Sequence, residues 1–153
     1  MKTLSNPQCK QEILVRVGRV RADSPGQWGR MNSAQMLCHL SDSFLCAMGE
    51  RPVPIDPHFR ARKLAKWVAL NAPFRWPHGI KTPPQIDQHG GGGTLPAEFE
   101  VDRELLLLLV DRFTAQLPDF QFAPHPMFLE MNEREWMRWG YLHSDHHLRQ
   151  FGV

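Results

Sequence analysis

Hydrophobic positions recur at helical spacing along most of this chain, and turn residues separate the recurring segments. A first helix is predicted from Asn6, with Pro7 behind it, to the turn residues at 23–26. A second is predicted from Ser33, a capping residue type, to Pro52. The apolar stripe of this second helix consists of Leu37, Leu40, Phe44 and Met48.

The middle of the chain alternates between helical and irregular patterns. Residues 57–71 predict a short third helix, and residues 96–117 predict a fourth whose dense leucines indicate a position nearly surrounded by other helices. Between them, residues 73–96 hold five prolines and the glycine run 90–93, which predict a long loop without regular structure. Such a loop serves as a crossover or a lid, and the glycine run is interpreted as a flexible linker.

A last helix closes the chain, and the sequence marks both of its ends. Asn132, with Glu135 three residues later, forms a capping-box pattern, and Gly152 follows the final turn. Residues 118–131 are predicted to be irregular, and no segment shows the period-two alternation of a strand. We therefore predict an all-α fold, a bundle of four principal helices with a shorter extra helix, in one domain over residues 1–153.

The last helix carries the candidate chemistry. His143 and His147 lie one turn apart on a face predicted to point inward, where two imidazoles can hold one metal ion. His146 lies on the neighbouring stripe and is predicted to flank the site, while Gly140 is interpreted as leaving room for a ligand. The inward stripe consists of Trp136, Gly140, His143, His147 and Phe151.

A third metal ligand has to come from another helix, because zinc and related ions take at least three protein ligands. His39 is the best candidate, since its helix is predicted to lie in the core and its neighbours on the same side of the helix include the small residues Ser43 and Cys46. A single inward histidine is more often a hydrogen-bonded core residue, so that alternative stays open for each ring. Without a metal, however, three buried imidazoles would need three separate protein partners. The other histidines fall in or near loops: His58, His78, His89 and His125.

Composition narrows the class of function. A formal net charge of +2 over 153 residues is too small to indicate a nucleic-acid partner. The longest apolar run, six residues at 105–110, is far shorter than the roughly 20 residues of a membrane span, and the amino terminus lacks a secretory pattern. The three cysteines form no CxxC pair and are interpreted as reduced core thiols of a cytoplasmic protein. We expect a small-molecule substrate, with no nucleic acid and no membrane as partner.

Several basic and aromatic residues in the middle of the chain are interpreted as structural and not as part of a binding site. The tryptophans Trp67 and Trp76 are interpreted as core residues. The basic residues are interpreted as a solvated helix face, and an anionic thiol cofactor is the alternative. This basic cluster consists of Arg51, Arg60, Arg62, Lys63 and Lys66.

Two groups of residues resemble a known family. The closing segment HSDHHLRQFG and a histidine in the middle of the second helix resemble the DinB-like superfamily of proposed metalloenzymes. The stretch with His125-Pro126, Phe128 and Glu135-Trp136 looks like the DUF1569 branch of that superfamily. The residues of the second segment that carry the resemblance are Trp28, Ser33, Gln35, Met36, His39 and Leu40.

The resemblance implies a four-helix bundle with a long crossover loop and a metal site formed by His39, His143 and His147. It also implies zinc, nickel or iron as the metal, and a transferase or isomerase activity that uses a low-molecular-weight thiol. Gln150 falls where the superfamily commonly has glutamine. Leu129 is a departure, because glycine is expected at that position.

Three histidines would leave a coordination position open, which is typical of a catalytic site. Our hypothesis is that the metal activates a thiol or a water molecule for transfer or hydrolysis. Catalytic residues are not assigned, and His146 and Gln150 are the candidates for contacts with substrate. Asp42 could orient the ring of His39, although a solvated carboxylate is the favoured interpretation.

Other interpretations remain at this stage. The protein could be a non-catalytic metal-binding module in which the metal only fastens helices, or a stress-related helical module. The sequence does not determine the oligomeric state, and a homodimer stays open because bundles of this kind often pair through an exposed helix face.

Overall fold

Five α-helices and a short 3-10 helix make up the regular structure of the described residues, which in this computed structural model are 1–57, 62–116 and 120–153. These residues contain no strand, only an isolated β-bridge between His125 and Leu129, so the prediction of a helical chain is confirmed. The predicted positions His58, Arg60 and Leu117 lie outside the described residues. The helices are α1 Pro7–Arg19, α2 Ser33–Ala47, α3 Arg62–Asn71, α4 Phe99–Thr114 and α5 Glu133–Gln150, and the 3-10 helix is Pro84–Ile86.

Side-chain caps fix where three of the helices begin. The Asn6 side chain accepts hydrogen bonds from the first backbone amides of α1, and Asn132 forms the predicted capping box with Glu135 at the start of α5. At α2 the prediction was wrong by one position, because Asn32 is the N-cap. The hydroxyl of Ser33 instead donates to a backbone carbonyl of the preceding loop.

The core lies among α1, α2, α4 and α5, because α1 and α2 each pack against both α4 and α5, while α3 packs against α5. Fully burying one large apolar side chain contributes about 1.5–3 kcal/mol, so this shared core supplies most of the driving force for the helix arrangement. The core side chains that are essentially inaccessible to solvent include Ile13, Val17, Leu37, Leu40, Phe44, Leu106, Leu109, Phe113, Trp136 and Leu148.

One face of α4 is open to solvent, contrary to the prediction that its leucines are surrounded. Val101, Leu105 and Leu108 are 54%, 41% and 55% exposed. The dense leucine pattern indicated more burial than the fold provides, because α4 packs on α1 and α2 through its other side only. None of the helices in the described residues combines the length and apolar composition that crossing a bilayer requires.

The long loop between α3 and α4 contains more order than predicted. It includes the 3-10 helix, and the amides of Gly92 and Gly93 both donate to the carbonyl of Asp87. A Cβ atom built on Gly92 would lie 1.9 Å from the carbonyl oxygen of Pro84. The interpretation of this run as a flexible linker was wrong, since glycine is needed there for close backbone contact.

Gly140 serves helix packing rather than a ligand. A Cβ atom at this position would lie 2.8 Å from Leu4 and 3.1 Å from the ring of Phe113. The prediction of room for a ligand was therefore wrong. The missing side chain lets α5 approach α4 and the amino-terminal segment closely enough to fill the core.

Candidate metal centre

Three histidine rings from two helices converge beside the core. His39 projects from α2, and His143 and His147 project from successive turns of α5. One ring nitrogen from each lies within 4.8 Å of the other two. Nε2 of His39 is 3.3 Å from Nε2 of His143. That separation is close to the edge of about 3.4 Å that a tetrahedral zinc site has with Zn–N bonds of about 2.0–2.1 Å.

The ring of His39 is held by the long loop. Its Nδ1 lies 3.0 Å from the carbonyl oxygen of Ile86 in the 3-10 helix. A carbonyl can only accept, so Nδ1 carries the proton and Nε2 presents a lone pair toward His143. In metal sites, the ring nitrogen of histidine that does not bind the metal usually donates its proton to an acceptor in the same way.

The ring of His147 is held by the end of its own helix. Its Nδ1 lies 2.8 Å from Oε1 of Gln150, while Nε2 of Gln150 donates to the carbonyl oxygen of Trp28 at 2.7 Å. The amide oxygen therefore accepts from His147, whose Nε2 is left with its lone pair. Gly29 permits this approach, because a Cβ atom there would lie 2.5 Å from Nε2 of Gln150.

Burial keeps the three rings neutral. It lowers the pKa of His39, and it lowers the pKa values of His143 and His147 well below the usual range for histidine. The neighbouring rings lower the pKa of His143 further, because a second positive charge would be repelled. Neutral imidazole is the form of histidine that binds metals.

Asp42 is buried, contrary to the favoured interpretation of a solvated carboxylate. Its exposed fraction is 1%, and it does not serve as the acceptor for the ring of His39. Instead it anchors the loop whose Ile86 carbonyl holds that ring. The groups that donate to Asp42 or pair with it are Nε2 of Gln88 at 2.6 Å, the backbone amide and hydroxyl of Thr94 at 2.8 and 2.7 Å, and Arg51 at 3.1 Å.

His146 lies beside the convergent rings without joining them. Its ring centroid is 5.1 Å from that of His147 and 5.7 Å from that of Trp28. Burial lowers the pKa of His146 to about 4. Nδ1 of His146 has no hydrogen-bond partner within the described part of the chain. The structure thus places this candidate residue next to the site, in a position to meet a bound molecule.

A cavity of about 710 Å³ opens onto the three histidines. Trp76 lines it, with its ring centroid 6.1 Å from that of His143, and is a partly buried residue that packs against the core. For Trp67 the core interpretation was wrong, since its side chain is 61% exposed. The apolar part of the cavity wall includes Trp28, Met31, Phe74, Trp76, Ile80 and Phe128.

A strained turn packs next to this cavity. Leu129, the position where the resemblance predicts glycine, has φ 61, in the left-handed region that favours glycine. Two backbone hydrogen bonds of 2.8 and 2.9 Å between Leu129 and His125 hold the turn. Nδ1 of His125 in turn accepts from the amides of Met127 and Phe128 at 3.1 and 3.2 Å. The departure from the family pattern leaves the turn formed, with backbone strain at one residue.

Fold and site together define a helical protein with a three-histidine cluster, buried at His39 and half-buried at the other two rings, whose geometry can accommodate a metal ion. Residues 10–152 match the family described as protein of unknown function (DUF1569), and the chain belongs to this family. This confirms the narrower part of the resemblance seen in the sequence. No curated protein and no solved structure gave a significant match.

Proposed function

We propose that this protein is a metal-dependent enzyme in which His39, His143 and His147 hold zinc, nickel or iron. The reaction is a transfer that uses a low-molecular-weight thiol, or a hydrolysis, and the substrate is a small molecule. The observation that carries the proposal is the approach of three ring nitrogens to within 4.8 Å of one another at a cavity of about 710 Å³.

The donor set fits a cation. The Nδ1 atoms of His39 and His147 are occupied by acceptors, so both Nε2 atoms turn lone pairs toward the same region. His143 can supply at most one proton to that region from Nε2. At least one inward lone pair is then without a donor among the three rings. A metal ion would satisfy all three nitrogens at once.

The chain's own residues would position the ligands and exclude water. The Ile86 carbonyl and Gln150 fix two of the rings, and the aromatic wall of the cavity limits access of solvent. When bound, the metal would supply Lewis acidity and hold or activate a thiol or a water molecule at a position that the three histidines leave free. His146 is the side chain best placed to contact the substrate, and no general base is assigned.

We also propose that the fold is a DinB-like four-helix bundle with a long crossover loop. The mutual contacts of α1, α2, α4 and α5 support this architecture, with α3 as the extra helix. The placement of His39 on α2 and of His143 and His147 on α5 supports membership of the wider DinB-like superfamily.

Elemental analysis of purified protein reconstituted with zinc, nickel or iron tests the metal site. We expect one equivalent of metal, lost in His143→Ala but kept in His89→Ala, which removes an exposed histidine of the cavity rim. Circular dichroism checks that each variant is folded, and His143→Gln replaces His143→Ala if the latter unfolds. Wild-type protein that retains no metal would disprove the proposal. X-ray absorption showing a fourth protein ligand would favour the non-catalytic alternative.

A further inference from the structure

We infer that the cavity above the histidine cluster takes an apolar organic anion, and this inference names a substrate class for the proposed function, on which it rests. The size of about 710 Å³ lies within the range of about 300–1,000 Å³ that is usual for small-molecule sites. Most of the wall is aromatic or aliphatic, so binding would be driven mainly by burial of an apolar body.

The charges around the cavity favour a negative ligand. Residues 62–81 include five lysines and arginines and no aspartate or glutamate, although the whole chain has a formal net charge of only +2. Some of these cations are occupied, since Lys66 pairs with Glu135 and Arg62 donates to backbone carbonyls. The positive potential that remains is therefore concentrated on side chains without partners.

Two such cations belong to the cavity wall itself. Arg30 and Lys81 both line it and are exposed, and neither makes a hydrogen bond or ion pair within the described residues. The one acidic side chain among the described lining residues is Asp87, whose Oδ1 accepts from the amide of Gly90 at 3.0 Å. Because cations outnumber acids on the wall, electrostatic interactions favour the binding of an anionic group and oppose that of a cationic group.

The rim of the cavity leaves apolar surface uncovered. Phe74 and Ile80 are 60% and 50% exposed although both are lining residues. Beside them the rings of Trp28 and His78 stack with centroids 4.0 Å apart. A ligand with an apolar body would cover this surface, while its anionic group stays near the exposed cations and its reacting part reaches toward the histidines.

Aromatic walls can also bind organic cations through cation–π attraction, so the sign of the ligand charge is the point to test. Isothermal titration calorimetry with octanoate, 1-octanol and octyltrimethylammonium compares ligands with the same chain and different head groups. It is carried out on the zinc-loaded protein and on protein stripped with a chelator. We expect octanoate to bind about ten-fold or more tightly than octyltrimethylammonium in both forms, with a difference that shrinks as salt is added.

Matched variants assign the effect to the cavity. Arg30→Gln and Lys81→Gln are each expected to weaken octanoate binding by about two- to five-fold, as expected for exposed charge pairs. Arg19→Gln removes an exposed cation of α1 outside the cavity lining and should leave binding unchanged. Equal or tighter binding of octyltrimethylammonium, or unchanged octanoate affinity in the Arg30→Gln/Lys81→Gln double variant, would overturn the inference.

The metal-stripped protein separates this inference from the proposed function. Octanoate binding that occurs only with zinc present would mean that the carboxylate binds the metal, which overturns the inference and leaves the metal site standing. If the wild-type protein retains no metal after reconstitution, the proposed function is disproved, and charge-selective binding by that protein would still support the inference.

Discussion

Nε2 of His39 lies 3.3 Å from Nε2 of His143, although 104 positions separate the two residues in the chain. A metal ion bound between them would connect α2 to α5, so binding should raise thermal stability. For zinc at a thousand times its dissociation constant the gain is about 4 kcal/mol, which corresponds to roughly 8–16 °C in a chain of this size. Differential scanning fluorimetry with zinc and with chelator measures it. A shift of the same size in His39→Ala would contradict this prediction.

Gln150 should control metal affinity without being a ligand. Gln150→Ala removes the acceptor that holds Nδ1 of His147, and losing such a partner typically lowers affinity about 10–100-fold. Competition with a chromogenic chelator gives the dissociation constant. Gln8→Ala, which removes an exposed glutamine of α1, is the control. An affinity equal to that of wild type in Gln150→Ala would show that the hydrogen bond does not position the ring.

Asp42 should contribute strongly to stability. Asp42→Ala leaves Arg51, Gln88 and Thr94 without their shared acceptor, and breaking a buried charge network of this kind costs about 3–5 kcal/mol. Urea unfolding measures the loss. Asp111→Ala, which removes the exposed partner in an ion pair with Lys10, should cost less than about 1 kcal/mol. Hydrogen exchange should also become faster at the amides of residues 85–94 in Asp42→Ala, and equal exchange rates would contradict the anchoring role.

Position 129 should tolerate substitution by glycine better than substitution by a β-branched residue. Leu129→Val is expected to lower the free energy of unfolding by about 1–2 kcal/mol, because a branched Cβ is poorly tolerated at φ 61. Leu129→Gly relieves the backbone strain and should be less destabilising than Leu129→Val. Chemical denaturation of the two variants decides the order, and a more stable Leu129→Val would be evidence against the left-handed turn.

His125 should make the protein sensitive to acid. Burial lowers its pKa from 6.5 to about 3, so between these values the unfolded chain binds a proton that the folded chain does not. The contribution of neutral His125 to the free energy of unfolding is therefore fully present above about pH 6.5 and is lost as the pH drops toward 3. His125→Asn can still accept from the two amides and does not titrate, so its unfolding free energy should depend less on pH. Parallel urea titrations in chelator from pH 7 to pH 4 compare the two proteins; identical slopes would refute the assignment.

Local signals in the sequence anticipated the helices and half of the site. The pairing of Asn132 with Glu135 predicts the start of α5, because a capping box involves only neighbouring residues. The spacing of His143 and His147 likewise predicts their proximity, because one helical turn brings them together. For α3 the described helix Arg62–Asn71 falls within the predicted segment 57–71, and residues 58–61 lie outside the part of the chain that the structure describes.

The sequence by itself determined an all-helical chain with two stacked histidines and a third on an apolar helix. Only the tertiary structure decided that His39 faces them, that Gln150 and the Ile86 carbonyl hold two of the rings, and that Asp42 is buried. The reason is that periodicity and capping act over a few residues. The environment of a side chain depends instead on which distant segments pack around it, so the exposed face of α4 and the aromatic cavity had no signal in the local pattern.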